Sequence, residues 1–222
     1  MIQQAADYLS VFLIISNFVL LASSRLGFCI KAVAVQGVIL AIIPILNEWE
    51  RHITVPAVLI CAVTLAIKGY VFPHLLNAAI ARARVKREVE PLVGYNASLL
   101  AGLAMLVFAF WMQSRLPVRQ GGEGMLLPAA FFAILCGFFV TIARRKALTQ
   151  ILGYLALENG IFAFGAAALS EHPLMLEMGI LLDVFVAVFI MGIAIFHINQ
   201  EFDHIDADRL ASLRDPAGEK LT

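Results

Sequence analysis

Apolar residues run along this chain in long, weakly charged blocks separated by short polar stretches. The blocks at 7–24, 28–46, 54–75, 94–113, 124–142, 147–169 and 173–198 are each close to the ~20 residues that a helix needs to cross a hydrocarbon layer roughly 30 Å thick. The polar breaks are clearest at 47–52 (NEWERH), 82–90 (RARVKREVE) and 115–123 (RLPVRQGGE), and a polar tail at 199–222 follows the last block. This pattern predicts an all-α integral membrane protein of about seven transmembrane helices with no soluble domain. The first block lacks a basic stretch before it and a small-residue cleavage site after it, so it reads as a permanent helix and not a removable signal.

Composition strengthens that reading. Of 222 residues, 61% are hydrophobic and 14% charged, which leaves too few polar groups to solvate a globular surface, so lipid must cover most of the chain. The formal net charge of zero gives no hint of a nucleic-acid partner. Cys29, Cys61 and Cys136 are scattered through apolar segments and form neither a disulfide framework nor a metal or iron–sulfur pattern. No nucleophile–base pair, phosphate-binding glycine loop or zinc cluster is legible, so no catalytic residue is expected in this chain.

The charges are distributed unequally across the membrane. With seven spans, Arg25, Lys31, Arg82, Arg84, Lys86, Arg87, Arg144, Arg145, Lys146, Arg209, Arg214 and Lys220 fall on one side, against Arg51, Arg115 and Arg119 on the other. Positive charge marks the cytoplasmic face, which predicts an N-terminus outside and a C-terminus in the cytoplasm of a bacterial or archaeal inner membrane.

An ungapped offset of 123 residues superposes Gly37 on Gly160, Glu48 on Glu171, Gly69 on Gly192 and His74 on His197, with the matched stretch ending in KGYVFPHL and MGIAIFHI. As a true repeat this pairs the first three spans with the last three in the same orientation, a parallel 3+1+3 plan. The chain then divides into an N-terminal three-helix unit with its basic loop (1–93), a connecting fourth helix (94–123), a C-terminal three-helix unit (124–198) and the tail (199–222). The alternative is chance similarity among apolar segments.

Against this background Lys68 in the third block, Glu158 in the sixth and Asp183 in the seventh stand out, each flanked by apolar residues. An ionisable group at a helix centre costs on the order of 2.5–3.5 kcal/mol by insertion scales, so none of the three should face lipid. Glu158 and Asp183 each lie about 15 Å or more into their helices, near the midplane. Two carboxylates approaching there disfavour double ionisation, which suits proton exchange. Gln150, Tyr154 and Glu158 fall at four-residue steps on one helix face with Asn159 beside them, and Lys68 shares its face with Thr64. Gln36 could hold water but cannot carry charge. The plainer alternative is that Lys68 pairs with Glu158 or Asp183 as an interhelical tie. Glu177 lies about one turn inside the seventh block, and His74 and His197 lie near helix ends, where interfacial or capping roles suffice.

The stretches ARRKALTQILGYLALENG and LMLEMGILLDVFVAVFIMG, with AVQG in the second block and IKGYVFP in the third, resemble the hydrogenase-4 component E family of membrane subunits. The last three blocks also resemble the K subunit of respiratory complex I, in which a loop with paired basic residues, here Arg144 and Arg145, precedes a helix with a buried glutamate. Counted from Gly153, the K-subunit glutamates would fall at Leu155 and near Val188; this chain offers Glu158 and Asp183 instead.

The resemblance implies a membrane subunit of a multisubunit, redox-driven, proton-translocating complex of the hydrogenase-4 or formate hydrogenlyase kind. Its partners would be antiporter-like membrane subunits, a complex I-like membrane anchor and a soluble redox arm. This chain itself would hold no cofactor, and iron–sulfur clusters and a metal centre would reside in the partners. Glu158 would exchange protons, with Asp183 a second station, Lys68 a charge partner or relay, and Gln150, Tyr154, Asn159 and Gln36 holding bridging waters. Two other readings stay open: a free-standing solute transporter with the 3+1+3 plan of the SWEET carriers, and a purely architectural membrane subunit.

Overall fold

A computed structural model of the chain describes residues 2–48, 55–83, 92–115, 124–168 and 192. All the elements found there are helical: α1 (Ile2–Ala22), α2 (Leu26–Glu48), α3 (Val55–Ala66), a π-helical segment (Ile67–Val71), α4 (Phe72–Ala83), α5 (Tyr95–Arg115), α6 (Leu126–Ala143) and α7 (Ala147–Ala168). Among the described residues, Cys61–Ala81, Tyr95–Arg115 and Leu126–Ala143 are helices long and apolar enough to cross a membrane, and Asp7–Ala22 and Leu26–Ile42 are shorter apolar helices. The described residues are thus all-helical, with three helices that could span a membrane. Apart from Gly192, the seventh predicted span, with Asp183, Glu177 and His197, and the tail lie outside the described residues.

The third predicted span, 54–75, ends too early. Helical backbone runs without a break from Val55 to Ala83 through the π segment, where Phe72 N–H donates to Ile67 O. Pro73 explains the irregularity. It has no N–H to return to Gly69 and its ring would clash with that carbonyl, so one extra residue is taken into the turn just before it.

α6 and α7 form a tight antiparallel hairpin because their facing residues are small. A Cβ on Gly153 would stand 2.6 Å from Thr141 N, one on Gly160 2.6 Å from Ile134 N, and one on Gly137 2.6 Å from Leu157 Cα. Contacts with backbone at that range exclude any side chain, so the two main chains themselves touch, the usual geometry of small-residue packing in membranes.

The α1–α2 and α6–α7 hairpins pack side by side, α1 against α6 and α2 against α7. Their direction follows from contacts at both ends. Asp7 Oδ1, near the start of α1, accepts the Met125 N–H that precedes α6 (3.0 Å), and Leu21 O, near the end of α1, accepts from Arg144 Nη2 just after α6 (2.9 Å). α1 and α6 therefore run in the same direction. Each contact also satisfies a polar group that a helix end leaves orphaned. α5 lies on α1 and α6 through Ser98, Gly102 and Ala109, while Leu100, Leu103, Val107 and Trp111 are exposed on its outer side, as lipid contact requires.

Candidate functional site: a buried ion pair and its hydrogen-bond chain

Where α2, α7 and the π segment meet, two of the three ionisable residues expected in the hydrocarbon come together. Lys68 Nζ stands 2.9 Å from Glu158 Oε1, and the side chains are 4% and 3% exposed. The approach depends on glycine. A Cβ on Gly37 of α2 would lie 2.6 Å from Lys68 Cβ, so only a residue without a side chain lets the π segment lie this close to α2. The ammonium also stands over the Phe162 ring, 5.6 Å from its centroid.

A second hydrogen bond from Lys68 Nζ reaches Asn159 Oδ1 at 2.9 Å and opens a chain of polar side chains. Asn159 Nδ2 donates to Gln36 Oε1 and to Val33 O, both at 3.4 Å, and Gln36 Nε2 donates to Ser16 Oγ at 2.9 Å. Ser16 Oγ in turn donates to Leu13 O at 2.8 Å, a carbonyl shared with Asn17 Nδ2 at 2.9 Å. Ser16, Asn17, Gln36, Lys68, Glu158 and Asn159 are all buried, as is Thr64 one turn before Lys68. The chain thus joins the π segment, α7, α2 and α1 through groups that would be costly to bury unbonded.

Not every expected residue belongs to this site. Gln150 is half-buried and turns to the α6–α7 connection, where its Nε2 donates to Arg144 O at 3.0 Å. Tyr154 is half-buried and packs against the apolar core. The stripe Gln150–Tyr154–Glu158 shares a helix face without forming a bonded series. His74 is exposed and stacks on Tyr70, with ring centroids 6.0 Å apart. Asp183 lies outside the described residues.

Two features escaped the sequence reading. Ser16 and Asn17 are ordinary polar residues in an apolar helix, and only the partner helix reveals that Ser16 receives Gln36. Arg144 reads as a loop cation, yet it is 1% exposed. Its guanidinium bonds Leu21 O and lies over the Tyr95 ring, 4.6 Å from the centroid, tying α1 and α5 to the end of α6. The signal in the sequence is position: Arg144 directly follows the apolar helix, whereas the exposed Arg145 lies one step further into the turn.

Among known proteins, the chain is similar over nearly its whole length to Uncharacterized protein Rv0085 of Mycobacterium tuberculosis, 33% identical over 215 residues that cover 94% of this chain and 96% of that protein. It is also similar to Hydrogenase-4 component E of Escherichia coli (strain K12) and of Shigella flexneri, in each case 32% identical over 121 residues, 53% of this chain. That second match spans 54% of the hydrogenase-4 protein, about half its length. No family model matches the chain. No solved structure matches it.

Proposed function

Starting from the fact that this chain belongs to the same family as Uncharacterized protein Rv0085 of Mycobacterium tuberculosis, we propose that it is a membrane subunit of a multisubunit, proton-translocating redox complex of the hydrogenase-4 type. In this reading its part is to supply buried titratable groups beside antiporter-like subunits. The match to Hydrogenase-4 component E over half the chain supports the class of complex. The observation that carries the proton role is the Lys68–Glu158 pair, held at 2.9 Å among packed helices.

Glu158 is the proton-exchanging carboxylate and Lys68 its counter-charge. Protonating Glu158 converts a neutral pair into a lone cation, and in a medium of low dielectric that change in charge is felt by neighbouring helices and subunits. Asn159 and Gln36 hold the polar surroundings, and Asp183 is a second station further along the path. Electron transfer, with the iron–sulfur clusters and metal centre it needs, takes place in partner subunits. The parallel 3+1+3 repeat belongs to the same proposal. It is supported by two hydrogen bonds, Arg144 to Leu21 and Asn159 to Gln36, that each join residues 123 apart, the offset read from the sequence.

The same ion pair is what a purely architectural subunit would use as a tie, so one substitution separates the two readings. Glu158→Gln keeps the shape and can still accept from Lys68 but cannot titrate. Membrane vesicles carrying it should contain the assembled complex and show donor-driven electron transfer with proton uptake reduced at least several-fold. Full proton uptake with an intact complex would assign the pair to architecture.

A further inference from the structure

The hydrogen-bond chain that leaves Lys68 is polarised from end to end. A lysine ammonium only donates, so Asn159 must present Oδ1 to it and turn Nδ2 outward. Gln36 must then accept with Oε1, which leaves Nε2 to donate to Ser16 Oγ, and Ser16 must pass its own proton to Leu13 O. Each acceptor in the series faces the ammonium and each donor faces away, so the dipoles of two amides and one hydroxyl add in the sense that favours positive charge on Lys68. In a poorly screened interior, bonds aligned in this way reinforce one another. The Phe162 ring adds a contact of the same sign.

Resting on the reading of Glu158 as the proton-exchanging group, we propose that Asn159, Gln36 and Ser16 are positioning residues that hold Lys68 as a permanent cation, so that within the pair Glu158 alone gains and loses the proton. The alternative role, Lys68 as a relay handing its proton to Glu158, would leave this whole series oriented for a charge that had gone. Among the described residues, the titratable side chains on the surrounding elements fit the proposal. Tyr154 lies one turn from Glu158 on α7, while His74 on α4 and Lys31 on α2 are exposed. α2 faces Lys68 with Gly37, and α3 brings the buried Thr64 one turn away.

The experiment is an infrared difference titration of the full chain purified with its copurifying subunits. The carboxylic-acid C=O band of Glu158 is identified by its loss in Glu158→Gln. In the wild type this band should grow on acidification while lysine N–H bands stay constant. Removing support for the cation weakens the counter-charge, so the acid form should appear at higher pH, most in Asn159→Leu and progressively less in Gln36→Leu and Ser16→Ala. A role in packing alone would lower thermal stability and leave the midpoint where it is. Ser16→Ala removes a single oxygen at the far end of the chain, so it decides the matter if the larger changes prevent assembly. An unmoved midpoint, or a lysine band that vanishes as the Glu158 band appears, would overturn this inference. If proton coupling survives Glu158→Gln, the proposed function falls with it; if coupling needs Glu158 but the midpoint ignores these substitutions, only the positioning role falls.

Discussion

At the scale of single residues, the energetic character of the Lys68–Glu158 pair can be measured apart from its function. Lys68→Met strands a carboxylate among packed helices, and breaking a buried pair in this way costs about 3–5 kcal/mol when the survivor stays charged. Replacing both members, Lys68→Met with Glu158→Met, removes both desolvation penalties together and should recover most of that loss. Unfolding of the purified protein in detergent checks both values. The same double variant should restore no proton uptake, which separates stability from coupling in a single pair of variants. A double variant as unstable as the single one would show that the pair contributes more than two unpaired apolar residues can replace.

Arg144 has a different part in the structure. Its guanidinium satisfies a carbonyl at the end of α1 and covers the Tyr95 ring. Arg144→Met fills similar space but leaves Leu21 O without this donor, and should lower stability by about 1–3 kcal/mol in the same unfolding measurement. Arg144→Lys should rescue only part of it, because a point-like ammonium cannot bond the carbonyl and lie flat on the ring together.

At the scale of elements, the contrast between the two hairpins has a cause in the sequence. Gly137 and Gly153 let α6 and α7 touch along their backbones, whereas at the positions 123 residues earlier α1 and α2 carry Ile14 and Ile30. Branched side chains there hold α1 and α2 further apart, and Gln36 and Ser16 bridge them instead. Gly153→Ile should therefore be far more damaging than its counterpart Ile30→Gly is to the other hairpin. The first drives a side chain into the Thr141 backbone, and the expected result is loss of folded protein on size-exclusion chromatography. The second costs burial of one isoleucine and leaves a folded, less stable protein.

The elements also show what sequence reading can and cannot reach. Lys68 and Glu158 were legible because a charge inside an apolar run has few acceptable positions, and the structure brings them together. Gln36 carries no charge, so its central position in the polar chain was underrated. Ser16 was invisible, since a serine in an apolar helix can satisfy itself on its own backbone, as this one does at Leu13 O. The end of the third span was misjudged because small and polar residues after Pro73 weaken the hydropathy signal without weakening the helix. The Gln150–Tyr154–Glu158 stripe had the right spacing, but spacing fixes only the face, and Gln150 is drawn to the carbonyl of Arg144 by the turn that precedes α7.

At the scale of the whole molecule, the parallel course of α1 and α6 has a consequence for topology. It puts the α1–α2 turn, with Arg25, on the same side as the α6–α7 turn, with Arg144, Arg145 and Lys146, and it puts Asp7 and Met125 together on the other. Basic residues resist translocation, so the side with these turns should be the cytoplasmic one and the N-terminus should lie outside. Reporter fusions decide the orientation. Alkaline phosphatase joined after Gly121 should be active and joined after Lys146 inactive, with a fluorescent protein giving the opposite pattern. Two fusions of the same activity would break the α6 crossing itself. Two of reversed activity would place the arginine-bearing turns outside, and Glu158, about 16 Å along α7 from the basic turn, would then be approached by protons from the opposite compartment to the one that positive charge marks.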